Sequence, residues 1–360
     1  MEHCAEHEIP KNSSPVVDLE FEFCDYTQRL IVATLIALWS CIAVLDNSIV
    51  ILAVVLSKRL RTPTNVFIVN LSVADLLTGF FFAWQVPALV APNGWPLPGW
   101  LCSVVSVGTT TGVGCSIHSL AFIALNRLLL VTKPLSVYQS VYTRRKMTIM
   151  VILTWLIPLL TASLPGIFGL VELGYDFQYK FCTFVDRNNM ALWYDFIIVF
   201  TNYPIPLIIL IGSYYQIYRH IKRHSARQAA HATNASWKTG TGTRQQSGNQ
   251  LQMEITKNTF YIVCAFILCL TPYSVCILVD TLQPAVPFAV TVLLLNSWIN
   301  PIIYATKHPH FKTVFRSIFL CKCTEIPEAA DFIRAIRAKS SVDFTCDLQY
   351  EKAKVTTLKV

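Results

Sequence analysis

The sequence predicts an all-α membrane protein, a bundle of seven transmembrane helices with a short amphipathic eighth helix on the membrane surface. Three observations predict it. Hydrophobic residues make up 54% of the chain and charged residues only 14%, far from the balance of a soluble domain. The apolar residues are gathered into long runs separated by short polar stretches. Those runs have the length a helical span requires: at about 1.5 Å of rise per residue, crossing about 30 Å of hydrocarbon takes roughly 20 residues. Strands would need alternating segments of about ten residues closed into a barrel, and no such alternation is present.

The N-terminal segment, 1–29, is acidic, with Glu2, Glu6, Glu8, Asp18, Glu20, Glu22 and Asp25 against Lys11 and Arg29. It lacks the short apolar core and small-residue cleavage site of a removable signal, so the first helix is expected to direct its own insertion. The spans are expected at 30–56, 65–90, 101–131, 147–170, 192–218, 255–282 and 285–306. Lys58, Arg59 and Arg61 follow the first span, and Arg144, Arg145 and Lys146 precede the fourth. Arg219, Lys222, Arg223 and Arg227 follow the fifth, and Lys307, Lys312 and Arg316 follow the seventh. All four clusters share one side, which the positive-inside tendency makes cytoplasmic. The N-terminus is then outside, where the sequon at Asn12 is open to glycosylation. The net charge of +8 is this cytoplasmic bias, suited to anionic lipid headgroups rather than to nucleic acid.

The segment 219–254 turns polar and is expected to be a mobile cytoplasmic loop. Within 307–323, Phe311, Val314, Phe315, Ile318 and Phe319 recur at helical spacing among basic residues, as in an amphipathic membrane-surface helix. Cys321 and Cys323 follow and are expected to be palmitoylated as a second anchor. The tail, 324–360, is polar, and no structure is expected there. Cys102 and Cys182 face the oxidising side and are expected to form a disulfide closing the loop before the fifth span over the bundle. Cys4 and Cys24 are candidates for a second bridge. Cys41, Cys115, Cys264, Cys269 and Cys276 lie in the spans and are expected to be packing residues.

An ionisable group inside hydrocarbon invites a functional reading. Asp75 lies midway through the second span, with Asn47, Ser116, Asn296, Ser297 and Asn300 available to surround it. A carboxylate among neutral oxygens suits Na⁺; an internal hydrogen-bond network with water is the alternative. Pro206, Pro272 and Pro301 each remove a helical hydrogen bond and mark places where a span can bend. Arg127, with five donors and a permanent charge, can hold neighbouring helices or exchange them for a partner's carbonyls. Tyr214 and Tyr304 bring hydroxyls to the same end.

Asn47, Leu71-Ser72-Val73-Ala74-Asp75, Arg127 with Pro134-Leu135, Trp155, Pro206 with Tyr214, Phe266 with Pro272, and Asn300-Pro301-Ile302-Ile303-Tyr304 together resemble rhodopsin-like (class A) G-protein-coupled receptors over 30–323. The resemblance implies a multi-pass plasma-membrane receptor and not an enzyme. It further implies an outer agonist pocket, an allosteric sodium site at Asp75, and an inner cavity for a heterotrimeric G protein, with arrestin as a further partner. The chain departs from the family at Asn126, where an acid usually precedes the arginine, and at Leu128 in place of tyrosine. Gln252 replaces an acid of the sixth span, Leu270 the customary tryptophan two residues before Pro272, and Asp46 a glycine. These departures bear on how the resting state is restrained.

Amine receptors carry an aspartate where this chain has Thr109, and opsins a Schiff-base lysine where it has Leu294, so both ligand classes are disfavoured. Gly174-Tyr175-Asp176, Phe181-Cys182-Thr183-Phe184, Asn93-Gly94-Trp95 and Asn126-Arg127 resemble melatonin receptors in part; Asp186, Pro165-Gly166 and Pro301 depart from them. An outer pocket of Thr109, Thr110, Val113, Phe184, Ile198, Asn202, Ile277 and Val290 is mostly apolar and suits a small, neutral, aromatic or lipid-like agonist. A transporter or channel is the alternative; it would need a polar-lined ion path or inverted repeats with paired broken helices, and neither is visible.

Overall fold

The computed structural model describes residues 21–185, 191–234, 261, 263–320, 322 and 326–331. The first span is α1, Tyr26–Leu56, whose N-cap Asp25 accepts from the backbone N–H of Thr27 at 2.8 Å. The second is α2, Pro63–Ala83, opened by a Thr62 cap and Pro63 in the first turn, and continued past Trp84 by α3, Gln85–Val90. The third is α4, Gly99–Thr132, followed by the short α5, Leu135–Val141. The fourth is α6, Arg144–Ile167, capped by Thr143. A hairpin of β1, Glu172–Asp176, and β2, Phe181–Val185, pairs antiparallel with Tyr175 opposite Cys182. The fifth span is α7, Ala191–Asn202, and α8, Pro204–Asn234, separated at Tyr203 because Pro204 cannot continue the hydrogen-bond ladder. Then come α9, Val263–Cys276, α10, Val286–Lys307, with Pro301 inside it, and α11, Pro309–Phe319.

Six helices are long and apolar enough to cross a membrane, and the shorter apolar Val263–Cys276 supplies the seventh span. The third span is central, packing against α2, α6, α8 and both strands. Its Gly108 and Gly112 explain how closely it meets α2. A Cβ at 108 would stand 2.6 Å from the Phe81 ring, and one at 112 would stand 2.5 Å from Thr78 Oγ1; small residues four apart are what membrane helices use to approach closely. The interior divides into an inner apolar core around Phe67, Phe266 and Phe311 and an outer one around Phe23, Leu89 and Leu294.

Several expectations need correction. The fifth-span helix runs to Asn234, through the first part of the segment expected to be a mobile loop; 235–254, with Gln252, lies outside the described residues. Cys41 is exposed on the outside of α1 rather than packed. The amphipathic helix is shorter than 307–323, and Phe311, Val314 and Phe315 are buried in the inner core, leaving Phe319 67% exposed. The tail is ordered at 326–331: it folds back on the turn that follows α1, where Ser57 Oγ donates to the Pro327 carbonyl at 2.9 Å and the backbone N–H of Lys58 donates to Glu328 O at 2.8 Å. Asn12, Cys4, Cys321 and Cys323 lie outside the described residues. Cys24 is disulfide-bonded.

Candidate functional site

The outer end is shaped by a tether and a plug. Cys102 of α4 and Cys182 of β2 are joined, with Cα atoms 5.2 Å apart. Gln85 of α3 reinforces this joint: its Nε2 donates to Cys182 O at 2.9 Å and its Oε1 accepts from Cys182 N–H at 2.8 Å. The N-terminal residues Phe21 and Phe23 lie beneath the hairpin. Phe23 N–H donates to Gln178 O at 2.8 Å, its ring meets Phe288 edge-on at 5.8 Å, and Phe21 faces Tyr179. Lys180 pairs with Glu22, and Gln178 with Gln283. Arg29, buried, donates to the carbonyls of Leu89 and Ala91, each at 2.7 Å. Sequence reading missed all of these except the disulfide; a buried arginine at a span's outer end was the available signal.

Val113 and Val290 touch the outer core together. Phe184 sits in a separate cluster with Val171 and Ile198. Thr109 is buried, its hydroxyl spent on Val105 and Ser106 carbonyls, whereas Thr110 and Ile277 are half-buried. Asn202 is turned toward the seam of α4 and α6: a Cβ at Gly114 would stand 2.8 Å from its Oδ1 and 2.5 Å from Pro158.

Midway down, Asp75 is fully buried and accepts from Asn300 Nδ2 at 3.0 Å. Asn47 Nδ2 donates to Ala43 O and Ser297 O, tying α1 to α10. The side chains of Ser116 and Ser297 also face the carboxylate, though only the Asn300 contact has hydrogen-bond geometry. The second Asp75 oxygen, the hydroxyls of Ser72 and Ser116, and the amide oxygens of Asn47, Asn296 and Asn300 are buried without a partner among the described residues. Buried oxygens without donors cost free energy, and a carboxylate faced by neutral hydroxyl and amide groups is chemistry that a hard cation can use.

At the inner end, Arg127 lies near Tyr138, Tyr214 and Tyr304, and its Nε has no partner among the described residues. No carboxylate lies within ion-pair distance of it among those residues. Asn126 is held elsewhere: its Oδ1 accepts from Thr64 at 2.9 Å, and its Nδ2 donates to Tyr138 Oη at 3.1 Å. Phe266 is buried and stacks on Tyr203, whose hydroxyl bonds Thr271 at 2.5 Å, one residue before Pro272. His308, just beyond the seventh span, is held neutral, its imidazole pushed down to about 4 by burial, by Arg127 and by His310.

A bundle of seven apolar helices, with buried polar side chains halfway along it and an arginine among tyrosines at one end, defines a multi-pass membrane protein of the seven-helix receptor class. The family model described as 7 transmembrane receptor (rhodopsin family) matches residues 46–304, and the chain belongs to that family, whose members are receptors and not enzymes. A Gq-coupled rhodopsin of Mizuhopecten yessoensis is 29% identical over 88% of this chain and 65% of its own length. An allatostatin-A receptor of Bombyx mori is 26% identical over 78% of this chain and 77% of its own, and a histamine H2 receptor of Canis lupus familiaris 27% over 82% and 80%. Squid rhodopsin shares the fold, with a TM-score of 0.72 at 24% identity, covering 88% of this chain and 93% of its own.

Proposed function

We propose that this receptor, its N-terminus outside, binds a small, largely neutral agonist in the outer half of the bundle and activates a heterotrimeric G protein at its inner end. The observation that carries the reading is the column of polar groups along the bundle, from the buried Asn47, Asp75 and Asn300 down to the buried Tyr304 and the half-buried Arg127, among helices that carry prolines. Such a column is costly to bury in one fixed arrangement and is a means of holding two. Pro272 and Pro301 supply the bends, and Phe266 and Tyr214 share the inner apolar core. Na⁺ at Asp75, Ser116, Asn296 and Asn300 would favour the resting arrangement. Arrestin and anionic lipids would meet the same inner face, and Cys321 and Cys323 would add acyl anchors beside it.

The outer pocket reading rests on Thr109, Thr110, Val113, Phe184, Ile277 and Val290, with Asn202 the weakest member because its amide faces the α4–α6 seam. Leu294, fully buried in α10, cannot form a Schiff base, which argues against retinal despite the opsin relatives. Thr109 cannot pair an ammonium group. A melatonin-like ligand is the finer reading, supported by Asn93-Gly94-Trp95 and Asn126-Arg127 and by Phe184 two residues after the loop cysteine. The test is a screen of neutral aromatic and lipid-like compounds with G-protein dissociation as readout. A response to such compounds and none to amines or retinal supports the pocket chemistry; the reverse order removes it.

A further inference from the structure

We propose that the lipid-facing side of the seam between α1 and α10 docks a membrane-spanning helix of a partner protein, one that carries a lysine or arginine halfway along its span to pair with Asp46. Asp46 stands ten residues before Leu56, the inner end of α1. That is about 15 Å, close to the middle of a hydrocarbon core about 30 Å thick. Its neighbour Asn47 turns inward to Ser297 O, whereas Asp46 lies half-buried on the flank of the helix. Its side chain makes neither an ion pair nor a hydrogen bond among the described residues. The cations at the two ends of this span, Arg29 and Lys58, are about 25 Å and about 18 Å away along the axis. Both are engaged there, Arg29 with the carbonyls of Leu89 and Ala91 and Lys58 with Asp331. A carboxylate at such a depth is expensive unless something pairs with it.

The seam itself is fixed farther out, where Trp39 of α1 stacks on Trp298 of α10 at 5.3 Å. The Trp298 indole Nε1 is a second polar group of this seam, buried without a partner among the described residues. Asp46 is seven residues after Trp39 and Ile302 four after Trp298, so each continues the helix face that carries the stack, one to two turns farther in. Ile302 is 42% exposed there and Leu45, beside Asp46, 64%.

Depth selects the occupant. The ammonium groups of choline and ethanolamine lipids stay at the membrane surface, roughly 15 Å from the midplane, and a soluble cation would have to cross hydrocarbon to arrive. A second copy of this chain meeting the first face to face would bring another carboxylate, which like charges oppose. A helix can hold a lysine or arginine at the midplane, and the pair relieves both charges at once. The face next to Asp46 is built for such a neighbour. Leu38, Leu45 and Leu52 recur every seven residues, all exposed, with the small and exposed Cys41 and Ser48 between them. That is the spacing on which a second helix interlocks, small residues letting it come close, and Asp46 flanks the row as charged positions flank the seam of a coiled coil.

The test is resonance energy transfer, in cell membranes, between the full chain and a designed single-span helix of leucine and alanine with one lysine at its centre. Saturable transfer severalfold above that of the same helix with leucine at the centre is the expected result. Asp46→Leu should bring the two probes level. That variant removes a charge from a lipid-facing site and leaves no group unpaired, so its surface level shows whether it folds. Asp46→Asn, of the same shape, should lose most of the preference for lysine and serves as the second variant. Equal transfer by the lysine and leucine probes to the parent chain overturns the proposal, and so does a preference for lysine that survives both variants. A probe with central asparagine that does as well as the lysine probe also overturns it, because Asp46 would then act as a neutral hydrogen-bonding acid. Transfer between two copies of the chain that is lost in Asp46→Leu, with no preference for the lysine probe, overturns it in favour of self-association.

Discussion

Arg127 has tyrosines around it and, among the described residues, no carboxylate beside it, and the residue before it is engaged with Thr64 and Tyr138 instead. An uncharged neighbour cannot supply the charge-assisted hydrogen bond that would hold the arginine at rest, so basal signalling should be appreciable. Asn126→Asp keeps an acceptor for Thr64, lets Tyr138 donate, and adds a negative charge next to Arg127. Basal G-protein turnover should fall severalfold, corresponding to about 1 kcal/mol for a partly solvated pair, with ligand binding retained; turnover unchanged or raised would mean other contacts already hold Arg127. Gln252→Glu should act in the same direction, and the two together less than additively if both restrain one arginine. At the middle of the bundle, Asp75→Asn should abolish any sodium dependence of agonist affinity, because an ion that favours the resting state opposes an agonist that favours the active one. Radioligand competition with and without sodium decides it: an agonist affinity that ignores sodium in the parent protein contradicts the site. Asp75 was legible as a lone carboxylate in an apolar run. The direction in which Asn126 points was not, because periodicity fixes a residue's face and not its hydrogen-bond partner.

The spans were legible because length and hydropathy act locally. What joins them was not, since the contacts pair short polar pieces far apart in sequence: Gln85 with Cys182, Arg29 with Leu89 and Ala91, Ser57 with Pro327. At the outer end, Cys102→Ser or Cys182→Ser should lower surface expression and agonist binding by releasing the hairpin that carries Phe184. Gln85→Ala should weaken the same joint without touching the sulfurs, because it leaves the Cys182 N–H and C=O buried without their partner, at about 1–3 kcal/mol. Retention of full agonist affinity and thermal stability by Gln85→Ala would show that the disulfide alone positions the hairpin. At the inner end, the tail segment is held by burial more than by charge. Ile326 is 4% exposed, whereas the Lys58–Asp331 ion pair is at the surface. Ile326→Ala should therefore lower stability by about 2 kcal/mol or more, and Lys58→Ala by less than about 1 kcal/mol. Thermal unfolding in detergent with a thiol-reactive dye measures both, and the opposite order would mean that the ion pair is what docks the tail.

At the scale of the molecule, the arrangement is a bundle closed at its outer end by the N-terminal phenylalanines and the hairpin, braced at its inner end by the returning tail, and polar along its axis. Both closures leave the middle of α9 and α10, where Pro272 and Pro301 interrupt the ladders, as the part able to rearrange. The family membership fixes a receptor; coupling is the claim that this arrangement adds. Its most direct test is guanine-nucleotide exchange on purified heterotrimeric G proteins by the full chain in lipid nanodiscs. The account predicts exchange above that of empty discs for at least one G-protein class without added ligand, reduced by Asn126→Asp and abolished by Arg127→Ala. No acceleration of any class, with or without compounds from the ligand screen, together with solute or ion flux through the same protein in liposomes, would contradict it.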